Sequence, residues 1–188
     1  CFSAHPLKNL NALGDAGYLV TNNKKIYKKI KDLSNHGMTN RNIISRFGYV
    51  SRMDSLQASF LTYKLKNLNT LINKRRKNYE LYKKNLDKKN VYFPDELKDQ
   101  YNTYHTFVIH IKNRDKLKKF LLKKKIETSI HYPVPIHLQP ASKFLGYKKG
   151  DFPEVENQSK NILTLPIHQD LTKKNIFRIC KTINSFYN

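Results

Sequence analysis

Lys8 is the residue of this chain best suited to covalent chemistry. It sits in the turn-rich opening Cys1-Phe-Ser3-Ala-His5-Pro-Leu-Lys8-Asn-Leu-Asn-Ala-Leu-Gly14-Asp-Ala-Gly17, which runs into the strand-like Tyr18-Leu-Val-Thr21. The other lysines and arginines lie on solvated stretches, whereas Lys8 is expected in an apolar neighbourhood. Desolvation disfavours a charged ammonium, and a neutral amine attacks carbonyls. Ser3 and the backbone of the Gly14 to Gly17 turn can serve an anionic group nearby. The plainer alternatives are a surface lysine in a turn and a serine bonded to its own backbone.

Arg52 is a second candidate. Ser51-Arg-Met-Asp54 fits a capping box, in which a serine takes an orphan N–H and an acid follows three residues on. That places Arg52 in the first helical turn, where the helix dipole disfavours a cation unless an anion compensates it. The reading is an anionic ligand at Arg52, or else a solvated side chain. No short-spaced histidine pair with a carboxylate suggests zinc, and Gly14-Asp-Ala-Gly17 lacks the Lys-Ser/Thr ending of a phosphate loop. No metal site is expected.

The elements that must position these groups follow from periodicity. Ile26, Tyr27, Ile30 and Leu33 mark one face of a helix over 24–33, ended by His36-Gly37, and 38–47 reads as a loop. From Met53, apolar residues recur at three- and four-residue steps through Ile72 and resume at Tyr79, as one long helix or two joined near 74–77. Residues 106–111 read as a strand, Asn113 as the cap of a helix bearing Leu117, Phe120 and Leu121, and 127–130 as a second short strand. Pro133 and Pro135 break that strand into an extended loop. Pro153 starts a helix, 162–165 is a strand, and Thr172 caps a last helix carrying Ile176, Ile179, Cys180 and Ile183. This alternation predicts an α/β lobe from Tyr101 onward.

Composition excludes some classes. The chain has 188 residues, and its 39% hydrophobic content suffices for a packed core. No apolar run approaches the roughly twenty residues that span a bilayer. Cys1 and Cys180 alone do not make a disulfide framework and argue for a reducing, cytoplasmic location. The net charge of +22, with 36 basic against 14 acidic residues, invites a nucleic-acid reading. The lysines are spread over nearly every helix in company with asparagine and isoleucine, so a solvated basic surface that steers anionic ligands accounts for them better. A basic nucleic-acid-binding domain stays as the alternative, supported by charge alone.

The motifs converge on one family. The segment from Ser3 to Gly17 resembles the Schiff-base segment of the DegT/DnrJ/EryC1/StrS pyridoxal-phosphate-dependent nucleotide-sugar aminotransferases. Four further pieces follow in that family's order: Gly48-Tyr-Val-Ser-Arg52-Met-Asp-Ser-Leu-Gln57-Ala, His131-Tyr-Pro-Val-Pro-Ile-His137-Leu-Gln139, Gly150-Asp-Phe-Pro153-Glu-Val-Glu156 and Leu165-Pro166. The resemblance implies a fold-type-I transferase of α/β class, with residues 1–75 the end of the cofactor-binding large domain and its connecting helix, and 76–188 the small C-terminal domain.

For the site, the resemblance implies Lys8 as the Schiff-base lysine and Ser3 as a phosphate contact of pyridoxal 5'-phosphate. It implies Arg52, His131, Tyr132 and His137 as contacts to a nucleotide-linked keto sugar. Glutamate is the implied amino donor, and a homodimer with shared sites the implied assembly. A relative in the family carries histidine in place of the lysine and dehydrates instead, so Lys8 favours transamination. Where the family usually has an asparagine that reaches the phosphate across the dimer, this chain has Val50. Because the lysine is the eighth residue and the first is Cys1, the expectation is the C-terminal half of an enzyme, inactive without the other half of its cofactor site.

Overall fold

The computed structural model describes residues 1–187 and divides into two compact units, Cys1–Asn69 and Thr70–Asn188. Each unit is built around a different amount of buried apolar surface.

In the first unit, β1 (Phe2–Ser3) pairs antiparallel with β2 (Gly17–Tyr18), with Ser3 opposite Gly17. A side chain at Gly17 would sit 2.9 Å from the Phe2 carbonyl oxygen, so glycine permits this close pairing. The expected strand over 18–21 is reduced to that short ladder. Helix α1 (Lys24–Leu33) has the expected bounds, started by the Asn23 side chain, which accepts from the N–H groups of Lys25 and Ile26.

The stretch 38–47 is not a plain loop: it forms a hairpin of β3 (Met38–Asn40) and β4 (Ile43–Ile44). The turn chemistry explains what periodicity missed, because Asn40 Oδ1 accepts from the N–H groups of both Asn42 and Ile43. Helix α2 (Ser55–Leu65) begins later than the capping box implied, with Asp54 at the cap position and no side-chain cap bond. Helix α3 (Leu68–Asn85) follows after a break at Lys66 and Asn67, earlier than the expected 74–77. The buried apolar cluster of this unit is Ala4, Ala12 and Leu61, with Leu10, Ala16 and Met53 packed against it.

The second unit holds an antiparallel sheet of β5 (Val91–Tyr92), β6 (Phe107–Ile111) and β7 (Ile162–Leu165), in the order β5-β6-β7. Along β6 the side chains of Phe107, Ile109 and Ile111 are buried while Val108 and His110 are half-buried, the period of two that a strand imposes. Helix α4 (Arg114–Lys123) supplies Leu117 and Leu121 to the same core, α5 (Pro153–Asn161) starts at Pro153 as expected, and α6 (Lys173–Tyr187) supplies Ile176, Ile179, Cys180 and Ile183. Thr172 caps α6 by accepting from Asn175 N–H at 3.2 Å. Asn113 occupies the cap position of α4 in a left-handed conformation, φ 57°, without a side-chain bond.

The expected strand over 127–130 is a single bridge, Ser129 against Thr164. Tyr82 lies fully buried and donates to the Pro166 carbonyl at 2.8 Å, tying α3 to the loop after β7. None of the described helices is long and apolar enough to cross a membrane.

Candidate functional site

Lys8 lies in a tight turn, its backbone N–H donating to the His5 carbonyl at 2.8 Å. The side chain is half-buried. The apolar enclosure expected around it is only partly present: Leu10 is half-buried, but Leu7 and Leu13 are 77% and 67% exposed. His5 shapes the turn, its Nδ1 accepting from Leu7 N–H at 3.1 Å.

The segment is closed by its own backbone and joined to α2 by one side chain. The N–H of Ala4 donates to Ala16 and that of Ala12 to Ala4, at 2.9 and 2.8 Å. Gln57 of α2 accepts from Leu13 N–H at 2.9 Å, and a side chain at Gly14 would meet its amide at 3.0 Å. Gln57 was visible in the second motif, but only the tertiary contact shows that it anchors the Lys8 segment.

Ser3, His5, Gly17, Ser51 and Arg52 line one cavity of about 440 Å³, together with Asp15, Ala16, Val50 and Met53. Residues far apart in the first two motifs thus meet. Ser3 Oγ is 3.4 Å from His5 N–H, the local turn bond that the plainer alternative anticipated. Lys8 lies outside the lining of this cavity. Two serine hydroxyls and a guanidinium around one opening are a donor set suited to a phosphate.

Arg52 is not in a first helical turn, so a clash with the helix dipole does not explain its place. It lies in the extended segment before α2, exposed, and its Nη1 donates to Asn35 Oδ1 at 3.0 Å. A second cavity of about 650 Å³, lined by Lys31, Asp32, Asn35 and Arg41 among others, also reaches Arg52.

The second unit holds the histidine motif. Ser129 and Thr164 exchange backbone hydrogen bonds at 3.2 and 2.7 Å, which brings His131 Nδ1 to 2.9 Å from Thr164 Oγ1. Tyr132, beside it, is 71% exposed.

His137 has a different place from the one expected. Its ring is buried, with Nε2 3.1 Å from Glu156 Oε1 and the Phe152 ring in an edge-type contact at 4.8 Å between centroids. Gly150 N–H donates to the same carboxylate oxygen at 2.7 Å. That amide, and secondarily His137, hold the Glu156 carboxyl below the usual carboxylate range. His137 thus joins the turn at Ile136–Leu138 to the start of α5, and its ring is not open to a substrate in this chain.

Residues 1–184 match the DegT/DnrJ/EryC1/StrS aminotransferase family. The chain belongs to this family. A member from Geobacillus stearothermophilus described as a pleiotropic regulatory protein is 34% identical over 99% of the chain and 51% of its own length. The UDP-N-acetyl-3-dehydro-alpha-D-glucosamine 3-aminotransferase of Acidithiobacillus ferrooxidans is 31% identical over 97% of the chain and 49% of its own length. Among solved structures, DesV of S. venezuelae in complex with a ketimine intermediate superposes with a TM-score of 0.93 at 29% identity, covering 98% of the chain and 50% of that protein. The chain spans about half the length of the relatives it matches. Its fold is the corresponding part of the α/β fold-type-I sugar aminotransferases.

Proposed function

We propose that the protein bearing this chain transfers an amino group to a keto sugar carried on a nucleoside diphosphate, with pyridoxal 5'-phosphate as cofactor and glutamate as donor. The observation that carries this reading is the convergence of Ser3, Ser51 and Arg52 on one cavity, with Ser3 in the same family segment as the half-buried Lys8. In this reading the first unit is the end of the large, cofactor-binding domain and the second is the small domain.

When bound, the cofactor supplies an electron sink for the carbon that gives up its proton. Lys8 Nζ would hold the cofactor at rest and, once released as an amine, would take the proton from the donor's α-carbon and deliver it to the cofactor carbon on the other side of the transferred nitrogen. Ser3 Oγ donates to the phosphate, and the Ser51 hydroxyl assists where Val50 has no side-chain donor. Arg52 binds an anionic group of the nucleotide sugar, while His131, fixed by Thr164, and the exposed Tyr132 face the sugar. The assembly proposed is a homodimer with shared sites, which agrees with the exposed apolar side chains Ile43, Ile44, Phe47 and Tyr49 on and beside the hairpin.

The test is borohydride trapping of the cofactor in the complete polypeptide, followed by peptide mapping and by turnover of a keto-sugar nucleotide with glutamate. The label is expected on Lys8. Lys8→Ala is expected to lower turnover by at least about a thousandfold, since no other lysine shares its geometry. Label on another lysine, or near-normal turnover by the alanine variant, overturns the reading.

A further inference from the structure

Arg52 is aimed by a neutral partner, and the choice of partner has chemical content. Asn35 is half-buried and pinned by its backbone: its N–H donates to Asp32 at 3.1 Å, its carbonyl accepts from Met38 N–H at 3.0 Å, and it forms a bridge with Val50. The flanking bonds Tyr49 N–H to Leu33 at 2.7 Å, His36 N–H to Tyr49 at 2.9 Å and Ser51 N–H to Ser34 at 3.0 Å close the two backbones together. The Asn35 backbone is therefore held in place, and its Oδ1 lies 3.0 Å from Arg52 Nη1, where the guanidinium borders both of the cavities described above.

We propose that Asn35 is a positioning residue for anion binding: its carboxamide oxygen orients the Arg52 guanidinium between the two cavities without neutralising it, leaving the charge to a phosphate-bearing ligand. A carboxylate at this position would accept the same hydrogen bond but form an ion pair that competes with the incoming phosphate. An apolar residue would leave the charge intact and its direction free, so the ordering cost would fall on binding. The inference rests on the assignment of Arg52 to an anionic substrate group.

The test measures binding of UDP and dTDP to the complete polypeptide by titration calorimetry, at low and high salt, for the wild type, Arg52→Ala, Asn35→Asp and Asn35→Ala. Arg52→Ala is expected to weaken binding about tenfold or more, as loss of a charge-assisted contact does. Asn35→Asp is expected to weaken it about as much and to flatten its salt dependence, because the cation is already paired. Asn35→Ala is expected to weaken it about two- to fivefold with the salt dependence retained. A purely structural asparagine predicts the reverse order, with aspartate restoring wild-type binding and alanine losing it. The near-isosteric aspartate keeps the hydrogen bond, so its arm decides even where the alanine variant folds poorly. Wild-type affinity in Asn35→Asp beside a weakened Arg52→Ala overturns the positioning role alone. Wild-type affinity in Arg52→Ala overturns the assignment of Arg52 and the role of Asn35 together.

Discussion

Charged residues in this chain differ in what their surroundings make of them, and the acidic minority shows it best. Arg76 holds Glu96 with two parallel hydrogen bonds, each 2.8 Å, and the Asn102 N–H donates to the same carboxylate. The Arg76 bonds first, then that amide, hold the Glu96 carboxyl far down, to about 2 from an ordinary 4.5. The folded state therefore binds the proton more weakly than the unfolded chain. The resulting stability is fully present above pH 4.5 and is lost as pH falls through about 2. The thermal midpoint of the second unit should fall over that window, and Glu96→Gln should flatten the fall; an unchanged slope in the variant would place the acid sensitivity elsewhere. Cys180 shows the opposite case, since burial in α6 pushes its thiol up to about 12 and makes it core rather than chemistry.

At the scale of elements, the approach of the α1 end to the segment before α2 decides where Arg52 lies. Two glycines allow it. A side chain at Gly48 would meet Gly37 N at 2.3 Å and the Leu33 carbonyl at 2.7 Å, and Gly37 itself has φ +76°. Because the obstructing atoms are backbone, Gly48→Ala cannot be absorbed by a rotamer change and is expected to cost roughly 1–3 kcal/mol. Amide exchange over residues 38–52 should accelerate and nucleotide affinity should fall, while β6 and β7 exchange as before. Protection unchanged over 38–52 would show that the close approach is not what holds Arg52.

The sequence expectation for this region failed for a related reason. Ser51 and Asp54 are spaced as a capping box, but the backbone bond from Ser51 N–H to Ser34 holds Ser51 in extended structure, and the helix starts at Ser55 instead. The hairpin at 38–44 leaves no periodic signal because its strands are short and its turn is made by one asparagine side chain rather than by an apolar pattern.

At the scale of the molecule, the two units are unequally supported. Among the described residues, eighteen buried apolar side chains form the core of the second unit and three form that of the first. At about 1.5–3 kcal/mol for each fully buried large side chain, only the second has the burial expected of an independently stable domain. In the 188-residue chain alone, amides of β6, β7 and α6 should be protected from hydrogen exchange by at least about a hundredfold more than those of α1 and α2. Equal protection in both units would show that the first is stable as it stands. Phe47, Tyr49, Leu56 and Tyr63 are exposed apolar side chains on the first unit, the kind of surface the proposed homodimer would cover.

What the sequence determined by itself was local or carried by motif: the α/β class, the helices at 24–33 and 153–161, the strands around Ile109 and Leu163, the buried face of the last helix, and the family segment around Lys8. Each is set by side-chain periodicity, a cap or a run of residue types within one stretch of chain. Tertiary structure decided what depends on distant backbones meeting. It brought Ser3 and Arg52 to one cavity, put Asn35 against Arg52, turned Gln57 toward the Gly14 turn, and assigned His137 to Glu156 rather than to an open face. These hydrogen bonds join residues 17 to 44 positions apart, and those to Arg52 and Gln57 lie beside glycine-permitted close approaches, which leave no periodic trace in the chain that makes them.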